Sequence, residues 1–361
     1  MAGIFNIFKE GVFPSYLGVD IGTTSIKVVE VKPGKQLPQV INYAFLESSG
    51  YLARANQALQ TSTLKLFEKE VIELLRLILK EMKPKATEAF ASLPVFSVFT
   101  TILDFPIMDK KELDQAIVYQ AKQYVPIPLS EVAMDWLKVG ESEDEKGFKH
   151  QQILLISVPQ EQIKRYQRIF KEVGLNLKAL EIESLSLARI FSGDLTPTVV
   201  VDIGSRSTNI IFLQGGQLKM HSQTDFAGSS LTQALASSLS INPMRAEELK
   251  KERGIATSGP NYELSTILLP FLDAIINEVK KAIYQYENQF KGSPKIERLI
   301  LAGGGANLRG IEKYFEREMG IPVARSAPFI KFEYDPQMEP LVPELNPLMS
   351  VAMGLTLREF T

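Results

Sequence analysis

Two segments of the sequence place a carboxylate at the end of a β-branched run and follow it with glycine and small hydroxyl residues. The first reads VDIGTTS and the second reads VDIGSRS. Their residues that can contact a cation or a phosphate are Asp20, Gly22, Thr23 and Thr24 in the first, and Asp202, Gly204 and Ser205 in the second. A carboxylate beside outward-pointing backbone N–H groups can hold hydrated Mg²⁺ against a polyphosphate, and glycine lets the backbone approach closely. The pair therefore predicts two loops that hold one polyphosphate from opposite sides.

Two further patterns can contribute to the same chemistry. Gly303, Gly304 and Gly305 follow an apolar run and precede a helical pattern, so a purine or an α-phosphate can lie against bare backbone there. A tight packing turn is the alternative interpretation. The segment AEELKKERG places Glu247 and Lys250 three residues apart on one helix face. That spacing fits either a surface ion pair or a contact with a nucleoside.

The residues around both acids predict the elements that position them. Each acid is followed, after a short turn, by a second apolar run, such as residues 26–31, and this pattern is typical of a strand–turn–strand hairpin. The phosphate loops of Rossmann and P-loop proteins instead lead from a strand into a helix, and neither motif occurs in the chain. The sequence thus argues against both of those nucleotide-binding classes.

The rest of the chain alternates strand and helix patterns, which predicts an α/β fold with two sheets. Helical spacing of apolar residues predicts helices over residues 64–82, 110–124 and 265–290, the second of them opened by Asp109 with Glu112 behind it. The acidic segment GESEDEKGFKH is typical of a solvated hairpin tip.

Composition excludes several function classes. The 361 residues include 40 basic and 42 acidic side chains, and this near balance gives no electrostatic basis for nucleic-acid binding. The chain has no cysteine, which removes disulfides and cysteine metal sites. His150 and His221 are far apart in polar surroundings, so we expect both at the surface and predict neither a histidine metal cluster nor a Ser-His-Asp triad.

The N-terminal segment MAGIFNIFKEGVF has no basic region and no signal-peptide cleavage site. Its apolar residues can pack on the protein itself or contact a membrane. No apolar run in the sequence is long enough to span a bilayer.

In their order along the chain, the features above resemble the actin-like ATPase superfamily, which includes seventy-kilodalton heat-shock chaperones, sugar kinases and FtsA. The resemblance covers nearly the whole chain, from YLGVDIGTTSIKVVEV to the closing segment PLMSVAMGLTLRE. Within the superfamily the chain is most similar to the PilM family of type IV pilus assembly proteins, on the FtsA-like branch. The segment QAKQYVPIPLSEV is the most specific part, because sugar kinases and chaperones have no counterpart of it.

The resemblance implies a two-lobed actin-like (ribonuclease-H-like) α/β ATPase fold with a small inserted α/β subdomain. It implies a first lobe from residues 1–96, 179–196 and 340–361, an inserted subdomain over residues 97–178, and a second lobe over residues 197–339. The second lobe would include a helical subdomain on the adenosine side, at about residues 231–298.

The resemblance also implies ATP and Mg²⁺ as cofactors. In the family's arrangement, Asp20 and Asp202 face Mg²⁺ through water, and the phosphate loops comprise Gly22, Thr23, Thr24, Gly204 and Ser205. Lys27 either reaches phosphate or points outward from its strand. Glu247 and Lys250 match the adenosine-side helix, and Gly303, Gly304 and Gly305 match the adenosine loop. Glu183 matches the position that orients the attacking water in relatives that hydrolyse ATP, although Glu181 is close enough to leave that assignment open.

For function, the resemblance implies a cytoplasmic ATP-binding scaffold that reaches the inner membrane through partners and has weak ATPase activity at most. The partners would be the N-terminal cytoplasmic peptide of PilN and other pilus inner-membrane and motor components. The peptide would bind beside the inserted subdomain, in an apolar groove or at a sheet edge. Residues that could line this groove, or equally belong to the core, are Val98, Phe99, Ile102, Tyr119, Tyr124 and Trp136.

Two alternatives remain within the superfamily. A sugar or other small-molecule kinase needs a carboxylate base near an acceptor hydroxyl, and no segment of the chain shows the context for one. An FtsA-like division protein usually ends with a linker and a membrane-targeting helix, whereas this sequence stops at LTLREFT.

Overall fold

The computed structural model describes residues 15–48, 68–143, 147–255 and 262–360, which form three β-sheets with helices packed on them. The strands are β1 (Tyr16–Ile21), β2 (Ser25–Lys32), β3 (Gln39–Glu47), β4 (Glu88–Leu93), β5 (Phe99–Pro106), β6 (Val132–Glu143), β7 (Lys149–Pro159), β8 (Asn176–Ile182), β9 (Thr198–Ile203), β10 (Thr208–Gln214), β11 (Gln217–Thr224), β12 (Arg298–Ala302) and β13 (Val323–Arg325). The helices are α1 (Glu68–Met82), α2 (Lys110–Tyr124), α3 (Gln160–Glu172), α4 (Glu183–Ile190), α5 (Gly228–Leu239), α6 (Pro243–Arg253), α7 (Tyr262–Gln289), α8 (Ile311–Met319) and α9 (Val342–Thr356). The α/β class is therefore confirmed.

The two large sheets repeat one topology. The first has the order β3-β2-β1-β4-β8 and the second the order β11-β10-β9-β12-β13. In each sheet an antiparallel three-stranded unit is extended by two parallel strands. This repetition confirms the prediction of two lobes built from related hairpins.

The turns of the two predicted hairpins have the same backbone geometry. Gly22 N donates to Ser25 O at 2.9 Å, and Gly204 N donates to Ser207 O at 3.0 Å. Because β1 and β9 are central strands that pair in parallel with β4 and β12, both turns lie at the carboxyl ends of buried strands. Ligands of open α/β sheets commonly bind at this edge.

The third sheet has the order β5-β7-β6, and its central strand β7 is buried on both faces. Its odd-numbered side chains on β5 and β7 pack against α2, because alternate residues of a strand point to opposite faces. This cluster includes Leu103, Phe105, Leu113, Ile117, Ile153 and Leu155. The opposite face joins the main core through residues that include Val139, Leu154 and Ile156. The inserted sheet is thus packed firmly between its own helix and the rest of the molecule.

The end of the insertion differs from the expected boundary at residue 178. Helix α3 packs against α1 and β8, and β8 pairs in parallel with β4 in the first sheet. Tyr166, Ile169 and Phe170 of α3 accordingly belong to the main core. By sheet membership and packing, the inserted unit ends near Pro159, where β7 ends.

Several local predictions are confirmed. Asp109 caps α2 by accepting a hydrogen bond from Glu112 N at 2.9 Å. Helix α1 fills the described part of the 64–82 prediction, and α7 spans nearly all of the 265–290 prediction. Strands β6 and β7 form the expected hairpin. Residues 144–146 of its tip and the N-terminal apolar segment lie outside the described residues.

The expectation that both histidines lie at the surface is wrong for His221, which is buried on β11. Its Nε2 lies 2.7 Å from Thr100 Oγ1 on β5, and its Nδ1 lies 2.8 Å from Ser184 Oγ on α4. The residues around His221 are polar because they belong to an edge strand, in which buried and more exposed side chains are interspersed. The ring itself is covered by residues that are distant in sequence. His150 remains partly exposed.

Among the described helices, none combines the length and the apolar character needed to cross a membrane.

Candidate functional site

A cleft with a cavity volume of about 660 Å³ lies between the two large sheets and contains every site residue predicted from the sequence. These lining residues are Asp20, Gly22, Thr23, Thr24, Lys27, Glu183, Asp202, Gly204, Ser205, Glu247, Lys250, Gly303, Gly304 and Gly305. They come from both hairpins, from α4 and α6, and from the turn after β12. The structure thus brings together positions that are spread over nearly the whole sequence, while their role in binding nucleotide remains a prediction.

The first hairpin presents a buried ion pair to the cleft. Asp20 and Lys27 are directly opposite in the β1–β2 register, and Lys27 Nζ lies 2.9 Å from Asp20 Oδ2. Ser92 Oγ at the end of β4 donates to Asp20 Oδ1 at 2.8 Å. Burial would lower the pKa of Lys27, but the charge and hydrogen bond of Asp20 outweigh burial and raise it. Lys27 therefore faces the cleft as a cation and does not point outward.

In the second hairpin a neutral residue, Asn209, occupies the position equivalent to Lys27. Asp202 is directly opposite Asn209 in the β9–β10 register, and Asn209 Nδ2 lies 3.4 Å from Asp202 Oδ2 and 2.8 Å from Glu183 Oε2. Burial and the nearby charge of Asp20 raise the pKa of Asp202 to about 6. Burial, followed by repulsion from Asp20 and Asp202, raises the pKa of Glu183 well above its ordinary value. The cleft floor thus contains excess negative charge that a bound cation would compensate.

The geometry separates the two glutamates that the sequence left as alternatives. Glu181 accepts hydrogen bonds from Arg189 Nη1 and Nη2 at 2.7 and 2.8 Å and from Arg358 Nη1 at 2.9 Å. Ser186 Oγ donates to it as well, at 2.9 Å. Both of its oxygens therefore hold α4 and the C-terminal segment in place. Glu183 is the one of the two that lines the cleft.

The donor set fits Mg²⁺ that is shared with a polyphosphate. No three His, Cys, Asp or Glu side chains of the described residues are arranged to hold a metal ion by themselves. Mg²⁺ in phosphate sites is typically held by one or two carboxylates, with water and phosphate oxygens completing its octahedron. Asp20 and Asp202 supply one carboxylate from each lobe, and Asn209 Oδ1 is buried beside them without a hydrogen-bond partner in the described structure. These residues can therefore hold a hydrated cation from both sides.

The pair on α6 is buried, so the surface-pair alternative is wrong. The side chains of Lys250 and Glu247 are only 11% and 18% exposed, and Lys250 Nζ lies 2.6 Å from Glu247 Oε2. Lys250 Nζ also donates to Gly228 O at 3.0 Å and to Thr232 Oγ1 at 2.8 Å, and Thr232 in turn donates to Glu247. Burial lowers the pKa of Lys250. Burial alone would raise the pKa of Glu247, but the charge and hydrogen bond of Lys250 hold it below its ordinary value. The pair thus joins α6 to the start of α5 at the cleft wall.

The three consecutive glycines serve different purposes. Gly303 has φ 78°, and an added Cβ would lie 2.5 Å from Asp202 Oδ1. A Cβ at Gly305 would collide with the side chain of Ile203. A Cβ at Gly304 would meet only Leu348 Cδ1, at 3.7 Å. Two of the glycines are therefore required for packing of the turn against the end of β9, as in the packing alternative, and Gly304 presents open backbone to the cleft.

The start of α5 is part of the site that the sequence pattern did not reveal. Gly228 N donates to Gly204 O at 3.0 Å, and Ser229 N donates to Ser205 O at 2.7 Å. These bonds fix the second hairpin turn against the N-terminus of a twelve-residue helix. The only sequence signal is the small-residue run AGSS before an apolar helix pattern, which by itself is common.

An ion pair connects the two lobes at the cleft mouth. Glu47 ends β3, Lys251 lies on α6, and Lys251 Nζ approaches Glu47 Oε2 to 3.0 Å. Both residues line the cleft. Each side chain is about half exposed, so solvent screens the attraction and the pair is weak.

Comparison with known proteins gives a consistent picture. A family model described as "Type IV pilus assembly protein PilM" matches residues 18–360. The cell division protein FtsA of Enterococcus hirae is 22% identical over an alignment of 353 positions that covers 87% of this chain and 78% of that protein.

Solved structures share the architecture. The PilM-PilN type IV pilus biogenesis complex contains a chain with a TM-score of 0.79 and 22% identity, which covers 96% of this chain and 98% of that one. The ethanolamine utilization protein EutJ from Carboxydothermus hydrogenoformans has a TM-score of 0.57 and 18% identity, with 98% and 93% covered. MreB5 of Spiroplasma citri bound to ADP has a TM-score of 0.54 and 14% identity, with 96% of each chain covered. These likenesses show that the fold is the two-lobed actin-like fold.

Proposed function

The chain belongs to the PilM family of type IV pilus assembly proteins, and from that premise we propose that it is an ATP-binding scaffold of the pilus assembly machinery. The observation that carries the nucleotide part is the pair of equivalent hairpins, which present Asp20 and Asp202 to one cleft from two lobes. When bound, Mg²⁺ would neutralise charge on the polyphosphate and on these two carboxylates.

The chain's own residues suggest how nucleotide would lie in the cleft. The two turns and Lys27 line the volume where a polyphosphate fits. Gly304 and the Glu247–Lys250 pair line the same cleft, and the ribose and base would lie against them. The salt bridge of that pair and the bond from Lys250 to Gly228 O fix α6 beside α5, so the protein's own contacts hold this part of the site.

We infer that ATP acts mainly as a conformational ligand that holds the two lobes together. Any hydrolysis would depend on Glu183, whose carboxylate is buried at the cleft and hydrogen-bonded to Asn209. Its raised pKa brings it toward the range in which a carboxylate can accept a proton from an attacking water. We therefore propose weak ATPase activity at most, with Glu183→Gln as the variant that removes it.

The proposed partner is the N-terminal cytoplasmic peptide of a PilN-type inner-membrane protein. A solved relative is described as a PilM-PilN complex, and its fold matches this chain over nearly its whole length. Of the groove candidates, Tyr119 and Tyr124 are 69% and 53% exposed on α2, and Trp136, whose Nε1 donates to Asp114 of the same helix, is partly exposed. Val98 is buried in the main core, and Ile102, which is half-buried, packs against that core. We thus place the chain in the cytoplasm, at the inner membrane through this partner.

Calorimetric titration with Mg·ATP tests the nucleotide site. Asp20→Asn and Asp202→Asn should each weaken binding by about tenfold, because each removes a charge-assisted contact to the hydrated cation. Asp104→Asn is the matched control, since Asp104 is exposed on β5 outside the cleft. Unchanged affinity in both cleft variants would refute the assignment of the site.

A membrane pull-down tests the partner. The wild-type chain should retain a small single-span pilus protein, and Tyr119→Ala with Tyr124→Ala should reduce that retention. Incubation with ATP and a panel of sugars discriminates the kinase alternative, because robust phosphorylation of any sugar would contradict a scaffold.

A further inference from the structure

His221 lies where three parts of the fold meet. It belongs to β11 of the second lobe, while its two hydrogen-bond partners lie on the inserted sheet and on the first lobe. Thr100 is on the face of β5 that points toward the main body, like the neighbouring Ile102, which packs on the main core. Ser184 is fully buried in the first turn of α4. One side chain therefore makes polar contact with both the inserted sheet and the helix that begins at the cleft.

The chemistry of the ring makes the two contacts interdependent. Burial lowers the pKa of His221 to about 4, so the imidazole is neutral near pH 7. A neutral imidazole has one N–H donor and one acceptor nitrogen. One of the two hydroxyls, of Thr100 or Ser184, must consequently donate while the other accepts. A change in direction at one contact requires the opposite change at the other.

A short path leads from this ring to the cleft. Ser184 directly follows Glu183, and Glu183 Oε2 accepts a hydrogen bond from Asn209 Nδ2 at 2.8 Å. Asn209 and Glu183 both line the cleft. A ligand that contacts either one acts on the first turn of α4, and Ser184 moves with that turn.

A second side-chain hydrogen bond between the inserted sheet and the second lobe does not have this property. Gln152 Nε2 donates to Gln289 O at 3.0 Å, at the last residue of α7. Neither Gln152 nor Gln289 lines the cleft. This bond holds the sheet in place, whereas the His221 contacts connect it to a residue of the site.

We propose that His221 is a positioning residue that couples occupancy of the cleft to the arrangement of β5 in the inserted sheet. The proposal rests on the proposed function only in that Mg·ATP is the ligand that occupies the cleft. Two hydrogen bonds transmit the change, one between Ser184 and the ring and one between the ring and Thr100. The inserted sheet thereby senses nucleotide without touching it.

Hydrogen exchange of the β5 amides, measured with and without Mg·ATP, tests the coupling. In the wild type we expect nucleotide to change the exchange rate of β5 on the order of fivefold, at the low end of usual coupling between sites. Thr100→Val removes one hydroxyl at constant shape and should reduce that change to less than about twofold, while the Kd for Mg·ATP stays within about twofold. A purely structural role would instead alter β5 exchange equally in the presence and absence of nucleotide.

Two further variants keep the test decisive. Thr101→Val is the matched control, because Thr101 faces α2 from the other side of the same strand, and it should behave as wild type. Ser184→Ala breaks the link at its other end and should reproduce Thr100→Val, which covers the case in which one variant folds poorly. The coupling alone would be overturned if the wild type bound Mg·ATP without any change in the hydrogen exchange of β5. It would also be overturned if Thr100→Val and Ser184→Ala both kept the full nucleotide-dependent change. Failure of the wild type to bind Mg·ATP would overturn the proposed function as well.

Discussion

The ammonium group of Lys27 lies 2.9 Å from the carboxylate of Asp20, at the position where the second hairpin places a neutral amide, Asn209, opposite Asp202. The two hairpins share backbone geometry but differ in charge. Asp20 is ion-paired. Asp202 forms no ion pair within the described residues, and burial together with the charge of Asp20 raises the pKa of its carboxyl group to about 6. The second lobe thus supplies the carboxylate whose charge is least compensated.

Lys27→Met should destabilise the chain in a way that Mg²⁺ partly reverses. The variant leaves the buried carboxylates Asp20, Asp202 and Glu183 without their cation, and loss of one member of a buried pair typically costs about 3 kcal/mol. Urea denaturation with and without millimolar Mg²⁺ measures this. Lys32→Met, at the end of the same strand, is the control and should change little. An equal response of both variants to Mg²⁺ would contradict the charge cluster.

Lys250→Met should lower the free energy of unfolding by about 3 kcal/mol, since it leaves Glu247 buried without its partner. Arg245→Met offers a matched comparison on the same helix. Arg245 forms an ion pair of the same spacing with Glu248, but those side chains are 53% and 58% exposed. Its loss should cost less than about 0.5 kcal/mol. Similar losses in chemical denaturation would show that burial does not distinguish the two pairs.

Alanine should destabilise the protein at Gly303 but leave its stability nearly unchanged at Gly304. At Gly303 the positive φ and the approach to Asp202 Oδ1 predict a loss of about 1–3 kcal/mol. At Gly304 the added methyl has room beside Leu348, so we expect nearly wild-type melting. Differential scanning calorimetry of the two variants decides the point. A stable Gly303→Ala protein would mean that the turn after β12 is not fixed by packing on β9.

His221 should make the stability of the wild-type fold depend on pH in the acidic range. Its folded-state pKa of about 4 is below the ordinary value of 6.5, so the unfolded chain binds the proton more readily. The stability that the neutral ring contributes is therefore present above pH 6.5 and is lost as the pH falls through about 4. His221→Gln has no titrating group at this position. The melting temperature of the wild type, taken relative to this variant, should fall between pH 6.5 and pH 4, and a constant difference would contradict a buried neutral ring.

Local patterns were sufficient to predict the parts of the site that one segment determines. The two acidic hairpins, the Asp109 cap and the helix that carries Glu247 and Lys250 depend on periodicity and turn chemistry within a few residues. The paired spacing of the hairpins then predicted one shared cleft. This prediction required no knowledge of which side chains touch.

Properties set by distant parts of the chain were not predictable from local pattern. The burial of His221 depends on Thr100 and Ser184, which are 121 and 37 residues away in sequence. Glu181 is held by Arg358, 177 residues away, in addition to the nearby Arg189, whereas Glu183 lines the cleft. The insertion ends near Pro159, since β8 finds its partner in β4 rather than in the inserted sheet. Each of these outcomes depends on which surfaces meet in the folded chain.

Burial of β7, the central strand of the inserted sheet, on both faces limits how this sheet can be handled in the laboratory. If residues 97–159 were excised as a separate fragment, Leu154 and Ile156 would be uncovered together with the rest of the face that joins the main core. Such a fragment would expose a continuous apolar face and would aggregate. Removing the same segment would expose the matching surface on the remainder. Binding to this sheet is therefore best mapped by point substitution within the intact chain.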